Sequence, residues 1–247
     1  MAKKRIAISG GLGRMGQMIL IEIYRDGDVA LSGVLVRPGD AVVATPVLFP
    51  ETQVGTGQNY SDDRLAVFGA SDVVIDFTTP KASVENAQAA AQTGTALVIG
   101  TTGFTDDQLE QIGACAEKAP VLLSYNMSFA ITALAKAVGG LSRALGPDFQ
   151  LEITDIHHAE KKDKPSGTAL LLGAASGRDK KDIKYTSHRE GKVIGEHHIL
   201  FSGPGEQIEI IHRARDRRLF ARGGLLAADW LIGKQPGFYT LKDVMKI

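Results

Sequence analysis

The sequence contains a single cysteine, Cys115, among 247 residues. One cysteine cannot form an internal disulfide, and this scarcity fits a protein of a reducing compartment. Basic and acidic residues are equal in number, 28 of each, so the net charge attracts neither nucleic acid nor a membrane surface. Any anion-binding site must therefore be local.

Long apolar runs are also missing. No run approaches the roughly 20 residues that a membrane-spanning helix needs. The apolar stretch at residues 6–8 ends at glycines and is too short to form the core of a signal peptide. We therefore expect a soluble, cytoplasmic protein that binds no nucleic acid and no membrane.

Apolar strand patterns alternate with helical patterns in the first half of the chain. Strands are predicted at residues 5–9, 29–36, 72–77, 96–99 and 121–124, and helices at 17–26, 81–93 and 105–118. Strands that are separated by helices build a parallel sheet through βαβ units. The first half is thus predicted to be a Rossmann-type parallel-sheet domain of an α/β protein.

The second half changes character. Helices are predicted at residues 131–145, 168–176 and 225–232, and strands at 149–156, 183–187, 196–202, 206–213 and 219–222. Consecutive strands with few helices between them indicate a second α+β domain with a mostly antiparallel sheet. We place the boundary near Asn126, with a dinucleotide-binding domain at 1–126 and a second domain at 127–217. Residues 55–61 and 177–182 are predicted to be loops.

A glycine motif lies between the first predicted strand and the first predicted helix. Gly11, Gly13 and Gly16 form G-x-G-x-x-G, and Gly10 precedes them. Glycines allow the backbone to turn tightly and to approach a pyrophosphate, which the helix N-terminus attracts. The spacers are Leu12, Arg14 and Met15, and Arg14 can add a charged contact to phosphate. Residues 10–16 are predicted to bind a dinucleotide.

The end of the second predicted strand indicates which dinucleotide is preferred. An acidic residue there usually binds the adenosine ribose of NAD, but this chain has Val36 followed by Arg37. Valine cannot accept hydrogen bonds from a ribose, whereas arginine can pair with a 2′-phosphate. We predict that NADPH is preferred and that NADH use remains possible. The alternative is that Arg37 is a solvated loop residue.

Two further loops follow predicted strands at the same sheet edge. One contains Phe77 and Thr78 after Asp76, and the other begins with Gly100, Thr101 and Thr102. Ligands of open α/β sheets bind at the carboxyl ends of strands, so both loops are predicted to border the cofactor.

Residues 152–168 carry the densest set of reactive side chains. Histidine suits proton transfer near neutral pH, and lysine can bind a carboxylate or supply a proton. Backbone N–H groups at Ser166, Gly167 and Thr168, at a helix start, can form an anion-binding nest. With His157, His158 and Lys161 nearby, the segment is predicted to bind a carboxylate-bearing substrate. The plainer alternative is a solvated loop followed by a capped helix.

A metal site is the other alternative for this segment. The candidate ligands are His157, His158, His197 and His198, with Asp155 or Glu196. Adjacent histidines on a strand point to opposite faces, so each pair gives one ligand to a site. Without HExxH or clustered Cys/His spacing, no metal is predicted. His188 and His212 carry no specific signal.

These motifs together resemble the dihydrodipicolinate reductase family, and the likeness runs nearly from end to end. G-x-x-G-R-M-G occurs at residues 10–16, D-F-T at 76–78 and G-T-T-G at 100–103. The long signature H-H-x-x-K-x-D-x-P-S-G-T-A is complete at residues 157–169.

The resemblance implies a homotetrameric enzyme that reduces 4-hydroxy-tetrahydrodipicolinate with NAD(P)H, in lysine and diaminopimelate biosynthesis. It implies that segment 218–247 packs back onto the cofactor domain and that the middle domain binds substrate and forms the tetramer. His157 and Lys161 would be catalytic. The substrate would be held by His158, Lys161, Ser166, Gly167 and Thr168, and the nicotinamide bordered by Gly100, Thr101, Thr102, Ser124, Tyr125, Asn126 and Met127.

The chain departs from the family pattern in three places. Val36 stands where the family often has an acidic residue, and Met127 replaces an aromatic residue next to Asn126. The stretch between Ser176 and His188 is shorter than usual, which bears on closure and on the tetramer. Two other functions stay open: another two-domain nicotinamide dehydrogenase, and a non-catalytic NADP(H)-sensing module.

Overall fold

The computed structural model describes residues 2–246, and these form two compact units. One unit contains residues 2–127 and 220–246, and the other contains residues 128–219. The prediction of an α/β fold with a Rossmann-type sheet and a second, mostly antiparallel sheet is confirmed.

The first unit is built on an eight-stranded sheet, which is parallel except for one edge strand. Its strands are β1 (Lys4–Ser9), β2 (Val29–Leu35), β3 (Pro46–Leu48), β4 (Gly55–Ser61), β5 (Val73–Asp76), β6 (Ala96–Ile99), β7 (Pro120–Leu123) and β12 (Gly237–Tyr239). The helices of this part are α1 (Arg14–Arg25), α2 (Arg64–Gly69), α3 (Pro80–Thr93), α4 (Asp106–Ala116), α7 (Arg218–Leu231, whose first two residues belong to the other unit) and α8 (Leu241–Met245).

The strand order of this sheet places a ligand site. The order is β12-β7-β6-β5-β1-β2-β4-β3, so the chain moves outward from β1 to one edge and then continues from β5 to the other. A crevice opens outside the carboxyl ends of neighbouring strands where the winding reverses, and open α/β sheets bind ligands there. In this sheet that place lies between β1 and β5, which pair from Ile6 with Val73 to Ser9 with Asp76.

The second unit packs two helices on a four-stranded sheet of order β11-β10-β8-β9. Its elements are α5 (Phe129–Leu145), β8 (Gln150–His157), α6 (Gly167–Ala175), a short 3-10 helix (Lys180–Asp182), β9 (Ile183–Arg189), β10 (Gly195–Gly203) and β11 (Glu206–Ala214). Leu151, Ile153, Ile199 and Phe201 fill the core beneath the helices. The sheet is antiparallel except between β8 and β9, which pair in parallel.

Two local predictions are wrong. Residues 55–61 form strand β4, whose residues are all exposed or half-buried; a strand without a buried face lacks the apolar signal of a strand. Residues 219–222 belong to helix α7 and not to a strand. The short run Leu219–Phe220 was too brief to reveal the helical period that continues to Leu231. The sequence also gave no signal for β3, α2 and β12, which have three to six residues each.

Within residues 2–246, no helix combines the length and apolar character needed to cross a membrane.

Candidate functional site: a dinucleotide loop and a buried histidine cluster

The glycine motif connects β1 to α1, as predicted. Gly10 has a φ of +87°, a backbone conformation that residues other than glycine rarely adopt. At Gly16 a Cβ atom would lie 2.3 Å from the Gly10 carbonyl oxygen, so only glycine allows the helix to pack this closely on the loop. The sequence therefore folds here into the tight strand-to-helix turn that a pyrophosphate-binding loop requires.

Helix α1 begins without a side-chain cap. Its N-cap residue is Gly13, whereas α2, α3, α4, α5 and α6 are capped by Asp63, Thr79, Thr105, Ser128 and Ser166. The first N–H groups of a helix have no acceptor within the helix, so an uncapped start presents donors and a partial positive charge to a ligand. This arrangement suits a bound phosphate.

A cavity of about 670 Å³ opens beside this loop. It is lined by Ser9, Gly10, Leu12, Gly13, Val36, Arg37, Pro38, Asp40, Arg64, Phe77, Thr78, Thr79, Lys81, Ala82 and Glu85. Val36 is buried, with 8% of the residue exposed, whereas the Arg37 side chain is 91% exposed and lies 3.7 Å from the Asp40 carboxylate. These residues fit the adenosine end of a dinucleotide, because the cavity combines a glycine loop with the cationic side chains of Arg37, Arg64 and Lys81.

The loops after β5 and β6 are tied together. The Thr78 N–H donates to the Thr101 hydroxyl at 2.9 Å, and the Gly100 N–H donates to the Asp76 carbonyl oxygen at 2.8 Å. The Asp76 side chain is fully buried, and burial raises its pKa although Ser83 and Thr78 donate hydrogen bonds to it. The structure therefore brings both predicted cofactor loops to one edge of the sheet.

The segment after β7 contains the remaining predicted cofactor residues, Ser124 to Met127. The Ser124 hydroxyl donates to the Asn126 carbonyl oxygen at 2.9 Å and closes a turn. Tyr125 is exposed, whereas Met127 is 1% exposed. The Met127 side chain is therefore packed in the interior, and the prediction that this residue borders the nicotinamide stays a prediction.

In the second unit, one face of the sheet changes from apolar to polar along β8. His212, His197, Asp155 and Ser187 are register partners across β11, β10, β8 and β9, so they form one continuous row. His157 lies two residues beyond Asp155 on the same face of β8. Both His157 and His197 are buried, at 7% and 4% exposure. His198, the next residue on β10, faces the other side of the sheet, as strand alternation predicts, whereas His158 lies just beyond the end of β8 and is half-buried.

Asp155 is the centre of this row. Its Oδ1 accepts from His157 Nδ1 at 2.9 Å and from Arg189 Nη1 at 2.8 Å. Its Oδ2 accepts from the Ser187 hydroxyl at 2.6 Å and from the Ser166 backbone N–H at 3.2 Å. Burial opposes ionisation, but the donors from Ser187, Ser166 and Arg189 outweigh burial and lower the pKa of Asp155.

The two buried histidines are held neutral. Burial lowers the pKa of His157, the hydrogen bond to Asp155 opposes this shift, and the positive charge of Lys161 adds to it. Burial also lowers the pKa of His197, with help from His157 and His212, to about 3. A neutral imidazole in a buried position can exchange a proton with a ligand.

The predicted anion nest already contains a carboxylate. Lys161 Nζ lies 2.8 Å from Asp163 Oδ1, and the Gly167 N–H hydrogen-bonds the same carboxylate. Burial raises the pKa of Asp163, but the Lys161 ammonium and these donors outweigh it, so the net shift is downward. Ser166 caps helix α6 through the Ala169 N–H at 3.2 Å. Lys161 and the Gly167 N–H therefore offer donors that a carboxylate needs, whereas the Ser166 N–H of the predicted nest donates to Asp155 Oδ2 instead.

Three buried residues of this cluster were not predicted from the sequence as site residues. Asp155 and His197 entered only as metal-ligand alternatives, and Arg189 gave no signal because its partner is distant in sequence. His212, which carried no specific signal, lies with its ring centroid 5.8 Å from that of His197.

Within residues 2–246, no three His, Cys, Asp or Glu side chains are grouped to hold a metal ion.

Comparisons with known proteins agree along the whole chain. The family description "Dihydrodipicolinate reductase, N-terminus" matches residues 4–127, and "Dihydrodipicolinate reductase, C-terminus" matches residues 130–245. A 4-hydroxy-tetrahydrodipicolinate reductase of Geotalea daltonii is 39% identical over 265 residues and covers 98% of each chain. One from Anaeromyxobacter dehalogenans is 40% identical over 262 residues, covering 98% of this chain and 97% of that protein.

A solved structure has the same fold. The dipicolinate-bound dihydrodipicolinate reductase from Paenisporosarcina sp. TG-14 matches with a TM-score of 0.80 and 24% identity, and the match covers 96% of this chain and 97% of that one. Since both family halves match in order and the relatives are similar over nearly their full lengths, this chain belongs to the dihydrodipicolinate reductase family.

Proposed function

We propose that this protein reduces 4-hydroxy-tetrahydrodipicolinate to tetrahydrodipicolinate with a nicotinamide cofactor, in lysine and diaminopimelate biosynthesis. The observation that carries the proposal is the fold of segment 157–168. It places a buried, neutral His157 on the strand that precedes a carboxylate-holding loop, and it places Lys161 within that loop. A small dicarboxylate needs both a proton-exchanging group and fixed cations or N–H donors.

The first unit is proposed to hold NAD(P)H. Gly10, Gly11, Leu12, Gly13, Arg14, Met15 and Gly16 would take the pyrophosphate, with Phe77, Thr78, Gly100, Thr101, Thr102, Ser124, Tyr125, Asn126 and Met127 bordering the rest. When bound, the cofactor would supply hydride to a conjugated cyclic imine, after or with loss of the substrate's 4-hydroxyl group as water. The protein has to orient the two reactants, exclude water and supply the compensating proton.

The proton and the orientation are assigned to residues of the second unit. Lys161, as an ammonium, and His157, through its Nε2, are the proton-exchanging groups. His158, Lys161, Ser166, Gly167 and Thr168 hold the substrate carboxylates. The Lys161–Asp163 contact supports this assignment, because the donors that hold the Asp163 carboxylate suit a substrate carboxylate equally well.

NADPH is proposed as the preferred cofactor, with NADH use possible. Arg37 extends into solvent at the edge of the cavity, where it can reach a 2′-phosphate, and Val36 offers no acceptor for a ribose hydroxyl.

We further propose that the chain works as a cytoplasmic homotetramer. The division would be a cofactor domain at 1–126 with 218–247, and a substrate and oligomerisation domain at 127–217. The sheet face opposite α5 and α6 supports this, because its residues are exposed or half-buried and include Ile211 at 38% exposure. Light scattering coupled to size-exclusion chromatography would measure the assembly, and a monomer would contradict this part.

One assay tests the reaction. The protein is mixed with NADPH and freshly made 4-hydroxy-tetrahydrodipicolinate, and loss of NADPH absorbance is followed. Rapid, substrate-dependent consumption is expected. An amino-acid dehydrogenase would instead turn over with an amino acid and oxidised cofactor, and a sensing module would bind NADPH without consuming it.

A further inference from the structure

Asp155 combines complete burial with four hydrogen-bond donors. No part of it is exposed, and each carboxylate oxygen accepts two hydrogen bonds. Four donors satisfy the approximate lone-pair capacity of a carboxylate. A buried carboxylate with this many partners has a fixed orientation, and so do the groups that donate to it.

The contact with His157 determines where the proton of that ring lies. An ionised carboxylate can only accept hydrogen bonds, so at 2.9 Å His157 Nδ1 must carry the hydrogen. In the neutral ring Nε2 is then left with its lone pair. The ring nitrogen opposite Asp155 is therefore the one that can exchange a proton with a ligand.

The other contacts of Asp155 extend to the anion nest. Its second oxygen holds the Ser166 N–H at 3.2 Å, and Ser166 is the N-cap of α6 immediately before Gly167 and Thr168. Arg189, whose side chain is 6% exposed, donates both to Asp155 and to the Asp163 carbonyl oxygen. The loop between β8 and α6 is therefore attached at both of these points.

We propose that Asp155 is a positioning residue. It fixes the tautomer of His157 and, by accepting from the Ser166 N–H, it also fixes the position of the first residue of the anion nest. The inference rests on the proposed function, in which His157 exchanges a proton and the nest holds a substrate carboxylate. Asp155 acts through these residues and does not itself need to touch the substrate.

The charges around His157 determine how its titration responds. Asp155 lies on the same strand, Arg189 on β9, His197 on β10 and Lys161 in the following loop. Asp155 is the anion of this set and raises the pKa of His157, whereas Arg189 and Lys161 lower it. Removal of the Asp155 charge should therefore move the titration of His157 to lower pH.

The wild-type protein provides the first test. Nitrogen-15 spectra of histidine-labelled protein at pH 8 report the tautomer of each ring, and the His157 signal is assigned by its loss in His157→Gln. The Nδ1–H tautomer is expected. An Nε2–H tautomer at His157 would overturn the proposal, whether or not the protein turns over substrate.

Asp155→Asn provides the second test. The variant keeps the shape of the side chain but removes its charge, and an amide can also donate to His157 Nδ1. We expect loss of the single Nδ1–H tautomer and a fall in kcat of about 10²-fold or more, as for a mispositioned catalytic histidine. The kcat–pH limb that reports His157 should move to lower pH, KM should rise several-fold, and NADPH binding should stay unchanged.

Asp72→Asn is the matched control. Asp72 also accepts from an arginine, through Arg5 Nη2 at 2.6 Å and the Arg5 backbone N–H at 2.8 Å, but it belongs to the first unit. Wild-type kcat, pH profile and His157 tautomer are expected. If Asp155→Asn also retained all three, Asp155 would have no positioning role. If the wild type reduced no substrate, the proposed function would fail. The tautomer measurement would still show whether His157 Nδ1 donates its hydrogen to Asp155.

Discussion

The imidazole rings of His157 and His197 meet edge to face, with their centroids 5.3 Å apart. His197 Nε2 also lies 3.4 Å from the Ser166 hydroxyl, and no described residue satisfies its buried Nδ1. Burial of the ring disfavours its charged form, and the neighbouring His157 and His212 add to this, so the pKa of His197 falls to about 3.

The low pKa of His197 predicts that the free energy of unfolding depends on pH. As the pH falls through the ordinary histidine value of 6.5, the unfolded chain binds a proton at residue 197, but the folded chain does not until about pH 3. Folding therefore loses stability between pH 6.5 and 3, by at most about 1.4 kcal/mol per pH unit from this residue. In His197→Leu this loss should be smaller, measured as the free energy of unfolding in urea at stepped pH.

His188→Gln is the control for that measurement, because His188 is exposed and lies on strand β9 of the same sheet. It should show the wild-type dependence. Equal slopes for wild type and His197→Leu would mean that His197 is protonated in the folded protein and that the cluster is not held neutral.

The sequence predicted the elements that are long enough to show a clear hydrophobic pattern or whose ends carry capping residues. Helix α4 was placed by Thr105 and Gln108, and the structure contains their capping box. It could not predict strand β4, because none of the residues in that strand is buried. Of helix α7 it predicted the second half, at residues 225–232, but not the first turns, which follow a run of charged residues. At the sites, the glycine loop was readable because its residues are consecutive. The partnership of Asp155 with Arg189 was not, since it depends on β8 and β9 pairing across 34 positions.

Lys161 and His157 are expected to be required for turnover and not for cofactor binding. Lys161→Ala and His157→Ala should each lower kcat by about 10²-fold or more, the scale of a positioned acid or base. NADPH affinity, measured by fluorescence titration, should be unchanged, because neither residue belongs to the dinucleotide loop. Lys192→Ala, an exposed lysine in the β9–β10 turn, is the control. Near-normal turnover in both site variants would contradict the catalytic assignment.

Gly167 tests the anion nest. A Cβ atom at this position would meet nothing within 4 Å, so Gly167→Val should fold normally. Its side chain would instead crowd the space in front of the N–H groups that are assigned to a carboxylate, so KM for the substrate should rise while NADPH affinity stays constant. Gly205→Val is unsuitable as a control because of its positive φ; Gly140→Ala, also open around its Cβ position but within α5, is suitable. An unchanged KM in Gly167→Val would place the substrate elsewhere.

Arg37 and Val36 determine the cofactor choice that we propose. Arg37 lies 3.7 Å from Asp40, and an exposed pair of this kind contributes at most about 1 kcal/mol, so a 2′-phosphate can replace Asp40 as its partner. We expect kcat/KM to favour NADPH over NADH by about tenfold, which corresponds to about 1.4 kcal/mol. Arg37→Ala should weaken NADPH use and leave NADH use nearly unchanged. Val36→Glu should improve NADH use through the ribose hydroxyls and repel the 2′-phosphate. Steady-state kinetics of the three proteins give kcat/KM for both cofactors. If the wild type used both cofactors equally and Arg37→Ala changed neither value, Arg37 would be only a surface residue.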